Sequence, residues 1–390
     1  MRGEARAFTP ADEAPASPAG PAAAAATTVR EAPARPLARK GRGATLNDSG
    51  RFEPHRREAE DDGWGGLDAL PALRTEIIAE KAKTVITRND SPDISFDRSI
   101  NPYRGCEHGC VYCFARPTHA FMGLSPGLDF ETRLFVKDGA AETLARELAA
   151  PGYKPRTIAI GTNTDPYQPI ERQHRVMRGV LEVLARARHP VGIVTKSSLI
   201  LRDLDLLAPM AAQGLVKVAI SVTTLDRKLA RAMEPRAAAP DSRLETIRRL
   251  AEAGVPAGVM VAPIIPGLTD VELETILTRA RAAGASEAGY IMLRLPLEVR
   301  DLFRDWLMTH RPDRMRHVMG LVKSTRGGKD YDARWGLRMT GEGPYAWIVG
   351  RRFEVAAAKL GYARERRKLR CDLFQPPARA ARAGAQLSLF

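Results

Sequence analysis

The chain has 390 residues, of which 44% are hydrophobic and 27% charged, so it can bury one large core or two ordinary ones. Its apolar runs are too short for a membrane-spanning helix, which needs about 20 residues. Acidic residues stand near the amino terminus, where a signal peptide would need an apolar segment. We therefore expect a cytoplasmic protein without membrane contact. Four cysteines are too few for a disulfide scaffold.

The net charge is +14, a balance that favours a polyanionic partner, usually nucleic acid. The excess is uneven, because residues 351–390 hold ten Lys and Arg against three Asp and Glu, whereas residues 1–65 hold ten of each. The run ARERRKLR at residues 363–370 is the centre of this basic region. Contact with nucleic-acid phosphates and a solvated helix end both account for the run.

The first 62 residues are rich in Ala and Pro and lack sustained apolar periodicity, which predicts disorder. Farther along, short apolar runs alternate with helical stretches. The apolar runs are residues 157–160, 191–195, 216–222, 257–262 and 289–293. The helical stretches are residues 140–149, 175–187, 199–212, 243–253 and 271–283. Continuous apolar strands that alternate with helices predict parallel β/α units.

One more strand before Cys106 brings the count to six, which predicts an α/β fold with a partial (β/α)6 barrel rather than a closed eight-stranded one. A doubly wound open sheet is the alternative, although no GxGxxG motif follows any strand. We expect residues 63–300 to form this core, residues 301–370 a small C-terminal cap with a basic end, and residues 371–390 a flexible tail. Five aromatic residues are expected to be mainly core residues of the cap, with base stacking as the alternative: Tyr331, Trp335, Tyr345, Trp347 and Phe353.

Three cysteines form a C-x3-C-x2-C motif at Cys106, Cys110 and Cys113. Three soft sulfur ligands on one tight loop suit an iron–sulfur cluster. A [4Fe-4S] cluster contains four irons, so three thiolates leave one iron open to a small chelating ligand. The alternative is a structural zinc site, which needs four ligands and would take His108 or His119 as the fourth.

This spacing, with the aromatic Tyr112 before the last cysteine, resembles the cluster motif of the radical S-adenosylmethionine (SAM) superfamily. The resemblance implies that Cys106, Cys110 and Cys113 bind a [4Fe-4S] cluster and that SAM chelates the open iron. It implies that one electron from the reduced cluster cleaves SAM to methionine and a 5′-deoxyadenosyl radical, which abstracts hydrogen from the substrate. It also implies that Tyr112 flanks the adenine and that a reductant such as flavodoxin or ferredoxin supplies the electron.

Further resemblance extends over residues 94–295. The stretch GTNTDPYQPIE at residues 161–171 takes the place of the glycine-rich segment that pairs with the methionine amino group in the superfamily. Lys196 and Ser221 stand where the spore photoproduct lyase branch contacts the methionine carboxylate, and APIIPGLTD at residues 262–270 matches a turn that contacts adenine. The resemblance thus implies cofactor contacts for Gly161, Thr162, Asn163, Thr164, Asp165, Lys196, Ser221, Ile264 and Ile265.

The whole chain most resembles a bacterial group of radical SAM proteins related to spore photoproduct lyase, described as DNA repair photolyase-like. The resemblance favours DNA as the substrate, in a repair or base-processing reaction. The alternatives are radical modification of RNA or a protein side chain, and a non-catalytic iron–sulfur or zinc module that binds nucleic acid. The lyase uses a hydrogen-donor cysteine outside its cluster, and no cysteine here occupies a comparable place. We expect Cys371, which lies far along the basic end, to be buried or incidental.

The segment QLSLF resembles the pentapeptide with which bacterial polymerases and repair proteins bind the sliding clamp. In that mode the Gln enters a small pocket and the Leu-Phe pair fills a hydrophobic one. Apolar groups on a polar, Pro-containing arm are also typical of a docking peptide. A tail that folds back on the domain is the alternative. The residues concerned are Gln386, Leu387, Ser388, Leu389 and Phe390.

Overall fold

A computed structural model describes residues 39–53 and 73–378. Within these ranges the strands are β1 (Glu76–Lys81), β2 (Ile86–Arg88), β3 (Arg98–Ile100), β4 (Tyr103–Arg104), β5 (Arg133–Asp138), β6 (Ile158–Ile160), β7 (Val191–Thr195), β8 (Val216–Ser221), β9 (Ala257–Ile264) and β10 (Glu287–Met292). The α-helices are α1 (Asp129–Thr132), α2 (Ala140–Leu148), α3 (Glu171–His174), α4 (Val176–Arg186), α5 (Leu204–Ala212), α6 (Arg227–Met233), α7 (Pro240–Glu252), α8 (Leu273–Ala282), α9 (Val299–His310), α10 (Met315–Ser324), α11 (Leu337–Thr340) and α12 (Gly343–Lys359). Short 3-10 helices cover Arg116–Met122, Ser198–Asp203 and Asp270–Glu272.

The main sheet has seven strands in the order β10-β9-β8-β7-β6-β3-β2. Six of them, from β3 to β10, run parallel, and β2 adds an antiparallel edge. The order of the parallel strands follows the chain and does not reverse, which distinguishes this sheet from a doubly wound one. The predicted α/β class and six parallel strands are confirmed, and an open sheet with this order matches the expected partial (β/α)6 barrel.

The core lies between the main sheet and its covering helices. Both faces of a parallel sheet are covered, so its strands are apolar along their whole length, and Ile160, Val191 and Val216 are fully buried. The predicted helices have the right positions to within a few residues. Gly254 and Gly284 follow α7 and α8 with φ of 74° and 99°, the left-handed conformation expected of a glycine at a helix end.

A second, three-stranded sheet has the order β1-β5-β4, with β1 parallel and β4 antiparallel to β5. The sequence did not predict this sheet, because β1 reads EIIAEK and its side chains are exposed or half-buried rather than a continuous apolar run. Its short strand β4 ends two residues before Cys106. The second sheet therefore fixes the point at which the cysteine motif begins.

Residues 39–53 are ordered, so the expectation of disorder through residue 62 was wrong for this part. Ala44 and Thr45 are only 1% and 8% exposed. The segment is held by backbone N–H groups of Gly43 and Ala44, which donate to the Glu131 carboxylate at 2.9 and 2.8 Å. Because almost every residue has a backbone N–H group, an Ala/Pro-rich composition does not reveal that these two would be hydrogen-bonded. The rest of the N-terminal region, residues 1–38 and 54–62, lies outside the described residues.

Part of the expected C-terminal cap shares a core with the cysteine motif. Phe303 and Trp306 of α9 belong to the same buried apolar cluster as Cys110, Val111 and Tyr112. The indole N–H of Trp306 also donates to the carbonyl of residue 232, at the end of α6, at 3.0 Å. Helix α9 thus packs directly behind the cysteine loop.

The basic run at residues 363–370 is not a helix end, so that interpretation was wrong. Helix α12 stops at Lys359, and the chain then crosses the amino ends of the main strands. Along this path the N–H of Ala363 donates to Ser286 and that of Arg370 to Gly214, each at 3.0 Å. The run therefore lies at the opposite end of the sheet from the cysteine loop.

The aromatic residues of this region divide into two groups. Phe353 packs on Tyr290, with ring centres 4.8 Å apart, as expected of a core residue. Trp335 and Trp347 are 60% and 69% exposed, so the expectation of burial was wrong for these two.

Within the described residues, no helix is long and apolar enough to cross a bilayer.

Candidate active site

The candidate site lies where the parallel strands end. Strands β6, β7, β8 and β9 are neighbours, and their carboxyl ends meet at one edge of the sheet. Asp165 follows β6, Lys196 follows β7, Ser221 is the last residue of β8 and Ile264 is the last residue of β9. Side chains at this edge form the active sites of β/α barrels. The fold therefore brings together residues that are spread over a hundred positions of sequence.

The cysteine loop packs against the same edge. Cys106 and Cys110 are 6% and 8% exposed, and Cys113 is half-buried. Gly105 and Gly109 flank the first cysteines with φ of 74° and 68°, a conformation that other residues rarely adopt. A Cβ atom on Gly105 would also lie 2.9 Å from the carbonyl oxygen of Phe130. The two glycines allow the loop to turn tightly with its cysteines inside.

The thiols of this loop need a cationic partner to ionise. Burial raises the pKa of Cys106 well above its ordinary value and raises that of Cys110 to about 12. Metal ligands are thiolates rather than thiols. Bound iron would supply the compensating positive charge, and three soft sulfur donors fit an iron–sulfur cluster.

The alternative zinc site would need a histidine as its fourth ligand. The Nδ1 atom of His108 lies 3.4 Å from an Asp165 oxygen, and the Nε2 atom of His119 lies 2.9 Å from the carbonyl oxygen of Arg133. One nitrogen of each ring is therefore engaged within the protein. Across residues 39–53 and 73–378, no three His, Cys, Asp or Glu side chains converge on a position for one metal ion. A cluster differs in that each thiolate binds a different iron, so convergence on one point is not required.

Asp165 links three parts of the site. It accepts hydrogen bonds from the hydroxyl of Thr195 at 2.6 Å and from the backbone N–H of Lys196 at 2.8 Å, and it faces His108. Burial would raise its pKa, but His108 and the two hydrogen bonds lower it to about 2. Its backbone also contacts the sulfur of Cys106 and favours the thiolate. Asp165 is therefore an anion that fixes the ends of β6 and β7 beside the first cysteine.

The remaining residues of the GTNTD stretch are largely engaged within the protein. Gly161 has a φ of 89°, and a Cβ atom there would lie 2.0 Å from the carbonyl oxygen of Val194. The hydroxyl of Thr164 donates to the carbonyl of residue 103 at 3.0 Å. Asn101 accepts from the backbone N–H of Asn163 at 3.0 Å and from the hydroxyl of Thr162 at 3.4 Å. These contacts give the end of β6 a defined shape.

The structure brings Tyr112 and Lys196 together, and their roles as cofactor contacts stay predictions. The Lys196 ammonium lies 5.9 Å from the centre of the Tyr112 ring. The Tyr112 hydroxyl donates to Glu234 and lies 3.2 Å from the hydroxyl of Thr223. Ile265 is fully buried in the apolar cluster that contains Tyr112. The turn after β9 is therefore part of the same site as the cysteine motif.

Glu234 and Arg243 are two site residues that the sequence analysis did not single out. They are 2% and 1% exposed, and their side chains form an ion pair at 2.5 Å. Burial would raise the pKa of Glu234, but Arg243 and Lys196 hold it below its ordinary value. The sulfur of Cys110 lies 3.9 Å from the same carboxylate. No local motif reveals this pair, because only the packing of α7 against the end of α6 brings the two side chains together.

Cys371 lies away from the site. It belongs to the segment that crosses the amino ends of the strands, next to Arg370, whose N–H donates to Gly214. Its sulfur lies 4.0 Å from the carbonyl oxygen of Leu369. Cys371 is half-buried in this position, and its expected incidental role stays a prediction. The QLSLF segment at residues 386–390 lies outside the described residues.

Comparison with known proteins agrees with this geometry. Residues 100–280 match the family model described as the radical SAM superfamily. This segment is a radical SAM domain. It includes the cysteine loop and continues through strands β6 to β9, so the residues gathered at the edge of the sheet lie within the matched region.

The curated relatives of this chain include bacterial and archaeal proteins. An uncharacterized protein of Mycobacterium tuberculosis is 41% identical over 222 residues, which are 56% of this chain and 65% of the relative. An uncharacterized protein of Methanocaldococcus jannaschii is 28% identical over 199 residues, which are 51% of this chain and 71% of the relative. The chain thus spans just under two thirds of the length of the mycobacterial relative.

Solved structures of spore photoproduct lyase share the fold. A point mutant of that lyase superposes with a TM-score of 0.52 at 17% identity, covering 73% of this chain and 80% of the lyase. The lyase complexed with dinucleoside spore photoproduct gives a TM-score of 0.51 at the same identity and coverage. A mutant with bound AdoMet and the same photoproduct gives 0.51 at 16% identity, covering 75% and 84%. The resemblance of this chain to the lyase branch is therefore confirmed at the level of fold.

Proposed function

We propose that this protein is a cytoplasmic enzyme that cleaves SAM reductively and abstracts hydrogen from a substrate. The observation that supports this most directly is the loop in which Cys106, Cys110 and Cys113 of a radical SAM domain meet the carboxyl edge of the sheet. When bound there, a [4Fe-4S] cluster would supply the electron for cleavage of SAM. The electron would come from a reductant of the flavodoxin or ferredoxin type.

The chain's own residues would hold the cofactor in place. Lys196 and Ser221 end two neighbouring strands, so a carboxylate between them would gain a charge-assisted contact. The backbone of residues 161–165 would receive the methionine amino group. Tyr112, Ile264 and Ile265 offer buried apolar surface to the adenine. Glu234 would orient Tyr112 through its hydroxyl.

We propose DNA as the substrate, in a repair or base-processing reaction. Two observations support this choice: the net charge of +14, and a fold shared with a lyase that is known in complex with dinucleoside spore photoproduct. No cysteine outside the C-x3-C-x2-C motif lies near the site, since the fourth one, Cys371, lies at the opposite end of the sheet. The proposed reaction is therefore DNA processing that begins with hydrogen abstraction. It does not include the step in which a cysteine of the lyase donates hydrogen.

The decisive test is product analysis with anaerobically reconstituted protein, reductant and SAM on ultraviolet-irradiated and undamaged DNA. Formation of 5′-deoxyadenosine together with a changed nucleoside supports the proposal. RNA and peptide substrates serve as comparison arms, and turnover only on one of these would exclude DNA. Substitution of Cys106, Cys110 or Cys113 by Ala should abolish iron and sulfide binding and SAM cleavage. The matched control Cys371→Ala should retain both, and a fully loaded cluster in Cys110→Ala would contradict the assignment.

We further propose that residues 386–390 bind the sliding clamp of DNA polymerase. Gln386 would set the register, and Leu387, Leu389 and Phe390 would enter apolar pockets. Two or three such side chains contribute about 1.5–3 kcal/mol each before ordering costs, which implies micromolar affinity. The test is titration of the host clamp with the full chain and with a chain that ends at residue 385. Equal binding by the two would remove the clamp from the proposal.

A further inference from the structure

Arg294 lies beside the cysteine loop but takes no part in the interactions described above. It follows the last residue of β10 by two positions, at the edge of the sheet that carries the candidate site. Its guanidinium carbon lies 4.6 Å from the centre of the Phe114 ring, and Phe114 directly follows Cys113. Arg294 is thus connected to the cysteine loop through one aromatic ring.

The guanidinium of Arg294 lacks a strong partner. Its two recorded contacts are the Met339 sulfur at 3.7 Å and the Tyr331 hydroxyl at 3.5 Å, both long for hydrogen bonds. Its Nε atom is buried without an acceptor. No ion pair joins Arg294 to a carboxylate within the described parts of the chain. The half-buried Arg294 guanidinium therefore has an unused capacity to bind one anion.

A second guanidinium lies nearby. Arg326 is 1% exposed and donates to the carbonyls of Leu293 and Leu337 at 2.8 and 2.7 Å. Its Nε atom is also buried without an acceptor. Burial and the positive charge of Arg294 lower the pKa of Arg326, against the opposing effect of Tyr331, Asp332 and Glu342. Two neighbouring guanidinium groups with unpartnered Nε donors would gain a charge-assisted contact from an anion beside them.

The neighbouring surface has room for a ligand. A cavity of about 590 Å³ is formed in part by residues that adjoin this pair in sequence, and neither Arg294 nor Arg326 lines it. Its charged lining is mixed, with three cations and three carboxylates: Arg51, Arg300, Lys329, Glu298, Asp301 and Asp330. Phe114 is 39% exposed, which leaves part of its ring accessible beside Arg294. An anionic group bound by Arg294 would lie beside the accessible part of this ring, next to the cysteine loop.

We propose that Arg294, supported by Arg326, binds a phosphate group of the substrate next to the cluster. The planar fork of Arg matches two phosphate oxygens, and a phosphate would satisfy the buried Nε donor of Arg294, which has no partner in the described parts of the protein. Arg326 would add positive charge from its buried position behind Arg294. This proposal rests on the proposed DNA substrate, whose backbone would place a phosphodiester beside the base to be modified. It adds a defined contact to the general basic charge of the chain.

The SAM carboxylate is a second possible source of the anion, and the fold argues against it. Strands β8 and β9 separate β10 from β7, which precedes Lys196. At about 4.8 Å per strand, Arg294 and Lys196 lie roughly 14 Å apart along the sheet. One carboxylate does not contact both positions at once, so the experiments below treat phosphate and SAM as separate ligands.

The first experiment uses inorganic phosphate as the probe and the cluster-loaded protein. Thermal unfolding is measured with phosphate and with sodium chloride at equal ionic strength. The unsubstituted protein should be stabilised by phosphate, Arg294→Gln should lose at least nine tenths of the stabilisation, and Arg294→Lys should keep an intermediate part. Arg248→Gln, an equal change of charge on the exposed face of α7, should respond like the unsubstituted protein. An equal phosphate response in Arg294→Gln and the unsubstituted protein would overturn the site.

The second experiment separates the sources of the anion. SAM affinity should be the same with and without phosphate and in Arg294→Gln, and competition between the two ligands would assign Arg294 to the cofactor instead. Oligonucleotides with one neutral methylphosphonate linkage at the modified base should bind equally to the unsubstituted protein and to Arg294→Gln. The charged oligonucleotide should bind Arg294→Gln at least tenfold more weakly. If the unsubstituted protein binds no oligonucleotide, the DNA substrate fails, while the phosphate experiment still decides whether the anion site exists.

Discussion

Arg116 and Glu131 form an ion pair in which neither side chain is exposed to solvent. The Arg116 guanidinium also donates to the carbonyl oxygens of Cys110 at 2.9 Å and Gly109 at 3.2 Å. Glu131 meanwhile accepts from two backbone N–H groups of residues 43 and 44. The pair therefore joins the N-terminal segment at residues 39–53 to the cysteine loop, with no side chain of the loop involved.

Replacing Glu131 by Gln should destabilise the protein and impair cluster assembly. The substitution keeps the shape of the side chain but leaves the charge of Arg116 buried without a partner. Breaking a buried pair in this way costs about 3–5 kcal/mol. Urea unfolding of the protein measures the loss, and iron content after reconstitution measures the effect on the loop. Glu245→Gln removes an exposed partner of Arg248 and should change neither quantity, whereas equal stability of both variants would contradict the structural role of the buried pair.

Gly43→Ala should displace the N-terminal segment from the cysteine loop. A Cβ atom at this position would lie 1.8 Å from the carbonyl oxygen of Gly109, so one of the two backbones must move. We expect a folded protein with reduced iron content and an altered electron paramagnetic resonance spectrum of the reduced cluster. Gly320→Ala is the control, since a Cβ atom there has open space within α10 and should stabilise the helix by about 0.5–1 kcal/mol. A normal spectrum in Gly43→Ala would show that the segment does not position the loop.

Lys196→Ala and Ser221→Ala should each weaken SAM binding without loss of the cluster. Both residues stand at strand ends that face the cysteine loop, and the Lys196 ammonium lies 5.9 Å from the centre of the Tyr112 ring. Loss of a charge-assisted contact costs roughly 1.5–3 kcal/mol, which corresponds to a roughly 10- to 150-fold weaker affinity. Anaerobic equilibrium dialysis with labelled SAM provides the measurement. Full affinity in both variants would place the carboxylate elsewhere.

Stability should fall as the pH is lowered from about 6.5 to 4, in part because of His189. Burial lowers the pKa of this fully buried ring from 6.5 to about 4. The unfolded chain therefore takes up the proton first, so the stabilising contribution is complete above pH 6.5 and is lost as the pH falls toward 4. The shift corresponds to roughly 3 kcal/mol.

The check is urea unfolding of the protein and His189→Gln at a series of pH values. The variant should be less stable at neutral pH, because Tyr153 loses the ring nitrogen that lies 2.8 Å from its hydroxyl, but its stability should depend less on pH. His174→Gln changes an exposed histidine of α3 and should keep the pH dependence of the unsubstituted protein. Identical slopes in all three proteins would rule out His189 as a contributor.

Most of the fold could be predicted from the sequence, because its signals are local. A parallel strand covered on both faces is a continuous apolar run, and five such runs mark β6 to β10 within a few residues of their bounds. The cysteine motif is equally local, since Cys106, Cys110 and Cys113 lie on one turn-rich loop whose spacing alone selects soft-metal chemistry. The placement of Lys196 and Ser221 at one edge follows from strand direction.

Only the tertiary structure decided which residues support that site. Glu131 contacts residues 43 and 44 across almost ninety positions, Glu234 meets Arg243 through the packing of two helices, and Arg294 approaches Phe114 across 180 positions of sequence. Each of these contacts depends on burial and on how separate elements pack together, and neither property has a period or spacing along the chain. Local chemistry thus determined what kind of centre we propose for this protein, and tertiary packing determined which charges surround it.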